Sequence, residues 1–335
     1  MQFKKTLLAM MMFGAAAAQA DYRVEISTAL ATLTEEYEND DYDEEYDKDS
    51  DYLSFEGVFY ITPVSTASGP LGQAAFLSKA SEVRVSIDRD SREYDDDSDI
   101  DYLDDEYDED TNAISGRAVI PAARIILEAG LQKGETDCTD CDDDSDNDGW
   151  MLGFGGYISD RVTLVFTYRH QEEETDFTEY DDYNGAFYSF ESNYEIDRYM
   201  LAYKQLIALS GEQSLVIEPF LEIFEYERKS EYRSPFDYDS YKFDGDGAAL
   251  GIDVTWYITR QLGVYAGVVG VGVENDNGDG ADAVSHIGIS YFLNENFRIG
   301  GELISTSGEF EYDDEDDGEF EYEGGGLEFN ASVRF

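Results

Sequence analysis

Few residues in this 335-residue chain have the type and spacing that chemistry needs. Asp144-Ser145-Asp146-Asn147-Asp148-Gly149 repeats the D-x-D-x-D-G opening of a calcium loop, in which Asp144, Asp146 and Asp148 would turn around one hard cation. The Glu required at the twelfth position is missing, because Gly155 stands there. Just upstream, Cys138-Thr139-Asp140-Cys141 holds both cysteines of the chain. In a cytosolic protein C-x-x-C points to redox chemistry or zinc. In an exported chain, on an acidic segment without a neighbouring His, a local disulfide that stiffens a loop tip fits better. His170 and His286 lie in separate segments, and neither G-x-S-x-G nor H-E-x-x-H occurs. The chain is therefore read as non-enzymatic.

A second set of charged residues recurs at alternate positions. Arg23, Glu25, Arg84, Arg124, Glu128, Arg169 and Glu218 each sit out of phase with apolar neighbours. So do Glu222, Asp253, Arg298, Glu302, Glu328 and Arg334. The last nine residues show the pattern plainly. Leu327, Phe329, Ala331, Val333 and Phe335 fall on one face of an extended strand, and Glu328, Asn330, Ser332 and Arg334 on the other. A soluble sandwich would have to bury these charges at prohibitive cost. A strand with lipid on one side and water on the other accommodates them. The thirteen charged residues are thus predicted to line a pore, the alternative being a lumen closed by Arg–Glu pairs.

The elements that carry these residues begin after Met1–Ala20. That stretch has Lys4 and Lys5, an apolar run from Leu7 and a closing Ala18-Gln19-Ala20, the form of a secretory signal peptide. Residues 21–335 are taken as a single domain. A net charge of −55 argues against nucleic acid as a partner. The 26 Tyr, 20 Phe and 30 Gly against 5 Pro suit twisted β structure rather than disorder. Windows 35–51, 94–110, 135–148 and 309–323 hold 40 of the 77 acidic residues, so the acid is concentrated in what read as loops. There an Asp/Glu–Tyr idiom repeats, as in Tyr42-Asp43-Glu44-Glu45-Tyr46 and Glu179-Tyr180-Asp181-Asp182-Tyr183. It reads either as an anionic vestibule or simply as a hydrated surface.

The alternating stretches number fourteen, with 12 or 16 open if 112–132 or 63–81 is misread. Long connections alternate with short turns, and the 63–81 link stands apart as long, apolar and nearly uncharged. This predicts an all-β fold, a transmembrane antiparallel up-and-down β-barrel with long acidic extracellular loops. Pro219 inside a strand implies a bulge or a missing ladder bond. Trp150 and Trp256, near opposite strand ends, read as interfacial girdle residues. The phase of the strand at 262–273 stays undetermined.

Three pieces of the sequence carry a resemblance. They are the signal segment running into Asp21-Tyr22, the connection from Thr62-Pro63-Val64-Ser65 through Gly69-Pro70-Leu71-Gly72-Gln73 to Phe76-Leu77, and the terminal Val333-Arg334-Phe335. With these the chain resembles the general bacterial porin family, the outer-membrane porin-like proteins of gamma-proteobacteria. The resemblance implies passive diffusion of small hydrophilic solutes and ions across the outer membrane, with no cofactor. It also implies that Phe335 is the signal read by the barrel-assembly machinery. Expected surroundings are outer-membrane lipid and lipopolysaccharide, and self-association is left open. The acidic loops favour a cation-preferring pore. The second reading is a non-conducting surface barrel whose loops bind calcium, other divalent cations or a partner.

Overall fold

The structure, a computed structural model, describes residues 21–39, 44–96, 106–138, 144–181, 186–233, 238–275, 278–312 and 319–335. The signal segment 1–20, Cys141 and the acidic residues between these stretches lie outside them. The first seven strands are β1 (Asp21–Asn39), β2 (Glu44–Ser65), β3 (Glu82–Asp96), β4 (Glu106–Ile120), β5 (Ile125–Cys138), β6 (Asp144–Ser159) and β7 (Val162–Asp181). The second seven are β8 (Ala186–Ala208), β9 (Ser214–Arg233), β10 (Tyr238–Tyr257), β11 (Leu262–Asn275), β12 (Gly278–Asn294), β13 (Phe297–Tyr312) and β14 (Glu319–Arg334). Each pairs antiparallel with its neighbours, and β14 returns to β1, closing the barrel. No helix among the described residues is long and apolar enough to cross a membrane.

The alternation fixes which side faces out. On β6, Trp150, Leu152, Phe154 and Ile158 are exposed, and on β10 Leu250, Ile252 and Trp256 are. These outward apolar positions occupy about the 9–11 residues that a tilted spanning strand needs. Trp150 stands at the upper edge of that band, and Trp256 at the lower edge beside the β10–β11 turn, as girdle residues should. On β11 the exposed Val268 settles the phase: Val269, Val271 and Val273 face inward. Opposite Pro219 the β8–β9 pairing passes from Ala202↔Phe220 to Gln205↔Ile217, leaving the expected gap in the ladder.

The strands do not stop at the band. The acidic windows, read as loops, are largely strand where described: β1 runs to Asn39, β2 starts at Glu44 and β6 starts at Asp144. The reason is that their Asp/Glu–Tyr idiom itself alternates. Glu36, Glu38, Asp47 and Asp49 are exposed, whereas Tyr37, Tyr46 and Lys48 take the inner face. The barrel wall therefore continues above the membrane as a collar, acidic outside and aromatic inside. Tyr37 stacks on Tyr46 with ring centroids 4.6 Å apart, and Tyr322 lies 5.2 Å from Tyr37.

At the other end, the 66–81 connection folds inward as a plug. A 3-10 turn, Leu71–Gln73, leads into one helical turn, α1 (Ala74–Leu77). Ala74 and Ala80 pack on Tyr22, Val58, Tyr60 and Val64. Phe76 lies against Val119, Ile126 and Tyr157, and with Leu77 against Leu206, Val216 and Tyr257. Polar groups tie the plug down. Leu71 N donates to Arg260 O (2.9 Å), Arg334 Nη1 to Leu71 O (2.9 Å), Tyr157 Oη to Phe76 O (3.0 Å) and Gln73 Nε2 to Tyr257 Oη (3.1 Å). Lys79 reaches Asp160 at 2.7 Å. A segment with almost no charge can sit inside a barrel mouth because it brings few groups that must keep their water.

Two buried features hold the closure. Glu25 and Arg334 are direct partners across the β1–β14 seam, with Nε 3.0 Å from Oε2 and side chains only 12% and 4% exposed. The Arg334 guanidinium also lies over the rings of Tyr22 and Phe292, 4.7 and 4.6 Å from their centroids. Leaving one partner of such a pair alone is expensive, so Glu25→Ala should cost about 3–5 kcal/mol in denaturant unfolding in detergent. A loss no larger than the ~1 kcal/mol of a surface pair would show that the seam does not rely on it. Asp160 offers a pH test of the plug anchor. The hydrogen bond from Lys79, then the charges of Lys79 and Arg124, hold its carboxyl below the ordinary value of 3.8. A depressed folded pKa stabilises above the unfolded value and is lost as pH falls through the folded one. Protease cleavage within 66–80 should thus increase only on strong acidification, and Asp160→Asn should remove that pH step.

Candidate functional site

The inner wall is the candidate site, and each of its side chains is placed by strand phase. Arg84, Glu128, Arg169, Glu218, Glu222, Asp253, Arg298, Glu302 and Glu328 share the inward face with the residues that pack on the plug. Four of the thirteen predicted positions are different. A register shift between Tyr22 and Val24 turns Tyr22 inward, so Arg23 points outward and donates from Nη1 to Ile61 O at 3.3 Å. Arg124 sits in the β4–β5 turn at φ +57°, donating to Ile158 O and facing Asp160 at 3.7 Å. Glu25 and Arg334 are inward but buried beneath the plug, so they seal the wall rather than line water.

Sequence reasoning left out several wall residues that the pairing brings in. Arg84 binds Glu56 (2.8 Å) and Glu82 (3.1 Å), and Arg117 binds Glu128 (2.6 Å). Arg198 binds Glu222 (3.1 Å), and Lys204 binds Glu218 (2.9 Å). All were available from phase alone, since each alternates with outward apolar neighbours. The plug had one signal only, the uncharged 63–81 stretch.

The charges are not evenly compensated around the ring. From β2 to β9 nearly every inward cation has a carboxylate. Arg169, Cα partner of Arg198, and Arg228, which donates from Nε to Ser192 Oγ at 3.0 Å, are the exceptions, with no ion pair among the described residues. From β10 to β14 the balance reverses. Glu302 and Glu328 are direct cross-strand partners, a like-charge pairing that costs stability. Asn330 Nδ2 donates to Glu328 at 3.0 Å, and neither carboxylate has a basic side chain in ion-pair range among the described residues. Asp253 on the same wall meets His286, with Nε2 at 2.9 Å. β10–β14 lie across the lumen from β3–β7, so a compensated wall faces an acidic one.

The wall also stays thin. A Cβ at Gly288 would collide with the Tyr265 ring, and one at Gly251 with the Phe220 ring. These large inward side chains therefore lie flat along a neighbouring strand instead of crossing the lumen. Fourteen strands enclose more space than wall side chains fill. The upper lumen is kept clear in this way, and the plug narrows its lower end.

The remaining candidates are not brought together. Asp146 and Asp148 lie on the extended β6, not on a loop, with Lys133 Nζ 3.5 and 3.9 Å from them. Alternate residues of a strand cannot wrap one ion as a turn does. The Asp144 side chain is outside the described residues, among which no group of three or more His, Cys, Asp or Glu could hold a metal. Cys138, at the end of β5, is disulfide-bonded. His170 faces outward beside Trp150, with Nδ1 2.9 Å from Asp197. Phe335 caps the β1–β14 seam: its carbonyl accepts from Arg23 N (2.7 Å) and Val24 N (3.1 Å).

Comparison with known proteins agrees with this geometry. The family described as "putative general bacterial porin" matches residues 22–243. No curated protein sequence matches the chain. Among solved structures, the Acinetobacter baumannii outer membrane protein Omp33 superposes with a TM-score of 0.51 at 16% identity, over 94% of this chain and 99% of that one. A deltaS2 mutant of the TodX monoaromatic hydrocarbon channel, a toluene transporter of P. putida, gives a TM-score of 0.54 at 9% identity, over 94% and 91%. At these identities both show the fold alone. The family match supplies the rest: this chain is an outer-membrane β-barrel that forms a channel rather than an enzyme, and it belongs to the general bacterial porins.

Proposed function

We propose that the chain is a narrow, passive pore that prefers small cations, and that the acidic wall sets the preference. The observation that carries this reading is the carboxylate pair Glu302 and Glu328, without a basic partner, beside Asp253 held only by His286, on one side of a lumen whose large rings lie flat on the wall. No step of chemistry is needed. A solute enters through the aromatic collar, crosses a water-filled section where carboxylates in a low-dielectric wall raise the local cation concentration, and leaves past the plug. The collar acids add less to selectivity, because most of those described face outward, the inward Glu35 and Glu109 are paired with Lys48 and Arg92, and salt screens exposed charges beyond about 8 Å at physiological strength.

A salt-gradient measurement on single channels in a planar bilayer tests the proposal. The reversal potential should have the sign of cation preference and move toward zero in Glu302→Gln/Glu328→Gln. Anion preference, or no current, would reject it. Clearance of the lumen has its own test. Gly288→Val should push the Tyr265 ring off the wall and lower unitary conductance, while Gly270→Val, whose Cβ would meet open space, should not.

The outer collar supports a second activity alongside permeation. Glu225, Asp244, Asp246, Glu274 and Asp279 are exposed just above the outward apolar Ile223 and Leu250, at the height of lipid headgroups. Divalent cations held there would bridge the collar to the phosphates of lipopolysaccharide. Chelation should then lower the thermal unfolding temperature of the barrel in lipopolysaccharide-containing membranes. An unchanged temperature would remove this reading.

A further inference from the structure

The inner face of the collar holds a recess of about 290 Å³ against β3–β7, above the level of Trp150. Strand pairing builds it. Glu109, Thr136, Ser145 and Thr175 are successive cross-strand partners on β4, β5, β6 and β7, so their side chains form one inward row. One step below, Gly134, Asn147 and Glu173 make a second row in the same way. Gly134 gives the recess depth, since a Cβ there would stand 2.9 Å from Thr111 Oγ1 and 3.5 Å from the Asn147 Cβ. Tyr94 and Tyr107 close one side, with ring centroids 5.9 Å apart and planes at 88°. Arg92 lies beside them, its Nε 2.8 Å from Asp90 and its Nη2 2.9 Å from Glu109, so its charge is already shared between two carboxylates. Ser145 Oγ donates to Glu173 at 3.4 Å. Asn147 Oδ1 is buried without a hydrogen-bond partner among the described residues.

This lining selects a class of solute. A phosphate or carboxylate would meet no free positive charge there, because Arg92 is neutralised and Glu173 has no basic partner among the described residues. An alkyl or fused-ring solute would find only two rings to cover it. Hydroxyl, amide and carboxylate groups alternate around those rings, and they offer both donors and acceptors. The electron-rich face of a tyrosine suits the slightly positive C–H groups of a saturated ring. A pyranose combines such a C–H face with hydroxyls around its edge, and the volume, at the lower limit of small-molecule sites, suits one ring and not a chain of them. We propose that the recess is a subsite for a neutral monosaccharide. The sugar stacks on the Tyr94 ring, one hydroxyl donates to Asn147 Oδ1, and others donate to Glu109 and Glu173. A buried acceptor ordinarily finds a donor, and here the solute supplies it. The proposal rests on the reading of the chain as a conducting pore, and names a solute class for its outer mouth. Because β3–β7 lie across the lumen from the acidic wall, an occupied recess narrows the mouth without covering Glu302 and Glu328.

Titration of the purified, folded barrel in detergent with glucose, followed by saturation-transfer NMR, tests the subsite apart from conduction. Binding should saturate with a Kd on the order of millimolar. Asn147→Leu and Tyr94→Leu should each weaken it about tenfold, the worth of one hydrogen bond or one ring contact. Tyr226→Leu removes an inward collar ring on β9, outside the recess, and should leave binding unchanged. Folding of every variant is checked by heat-modifiable mobility. Glucuronate, the same ring with a carboxylate, should bind about fivefold more weakly, the effect of one like charge about 4 Å away in water. In planar bilayers, glucose should lower the wild-type current in part and saturably, and at the same concentration should act less on Asn147→Leu. Non-saturable binding, or equal binding by wild type and both recess variants, would overturn the subsite while a wild-type current still supports the pore. Saturable binding without wild-type current would keep the subsite and reject the pore. Glucuronate binding as tight as glucose would overturn the assignment to a neutral solute.

Discussion

Everything in this molecule depends on closing the β1–β14 ladder. A strand edge in hydrocarbon leaves a row of amide and carbonyl groups without partners, each costing several kcal/mol. Fifteen residue pairs, from Glu25↔Arg334 to Asn39↔Phe320, close that edge. Following paired residues once around the wall from Glu25 returns to β1 at Asn39, so the ring closes with a stagger of fourteen residues. A stagger equal to the strand number tilts the strands by roughly the 35–45° usual for barrels. The tilt in turn sets how many residues of each strand lie in lipid.

Closure leaves an interior too wide for its own side chains, and the chain treats its two ends differently. Below, a nearly uncharged segment enters the mouth and is pinned from several strands, so the barrel there has something like a small protein core. Above, the rings of the collar stack on one another around the inner rim. Between them, glycines let Tyr265 and Phe220 lie flat along the wall.

The charges follow the same logic. Most inward cations are matched by a carboxylate on an adjacent strand, which neutralises the wall and contributes little field. Placing Glu302 directly opposite Glu328 costs stability and returns nothing to the fold. Such costs are usually tolerated where function requires them. Among the described residues, the negative charge is carried mainly by the outer faces of the strand extensions. There it is solvated, and it discourages collars of neighbouring molecules from pairing.

How much of this the amino-acid sequence determined by itself follows from the range over which each property is decided. Strand identity, the outward face, the even strand count and the outward placement of Trp150 and Trp256 are local, since a period of two is visible within a few residues. Thus Trp150 and Trp256, the skipped pairing opposite Pro219 and nine of the thirteen inward charges were legible from spacing. Arg23 and Arg124 were not, because a bulge and a turn residue at positive φ each break the period without marking it. The acidic windows read as loops because charge density is a poorer guide to strands than alternation is. Only the closed tertiary structure decided that residues 66–81 turn inward, that Glu25 finds Arg334 across 309 residues of chain, and that an acidic wall faces a neutralised one. Those relations join strands far apart in sequence, and no local pattern encodes which wall a strand will face once the ring is shut.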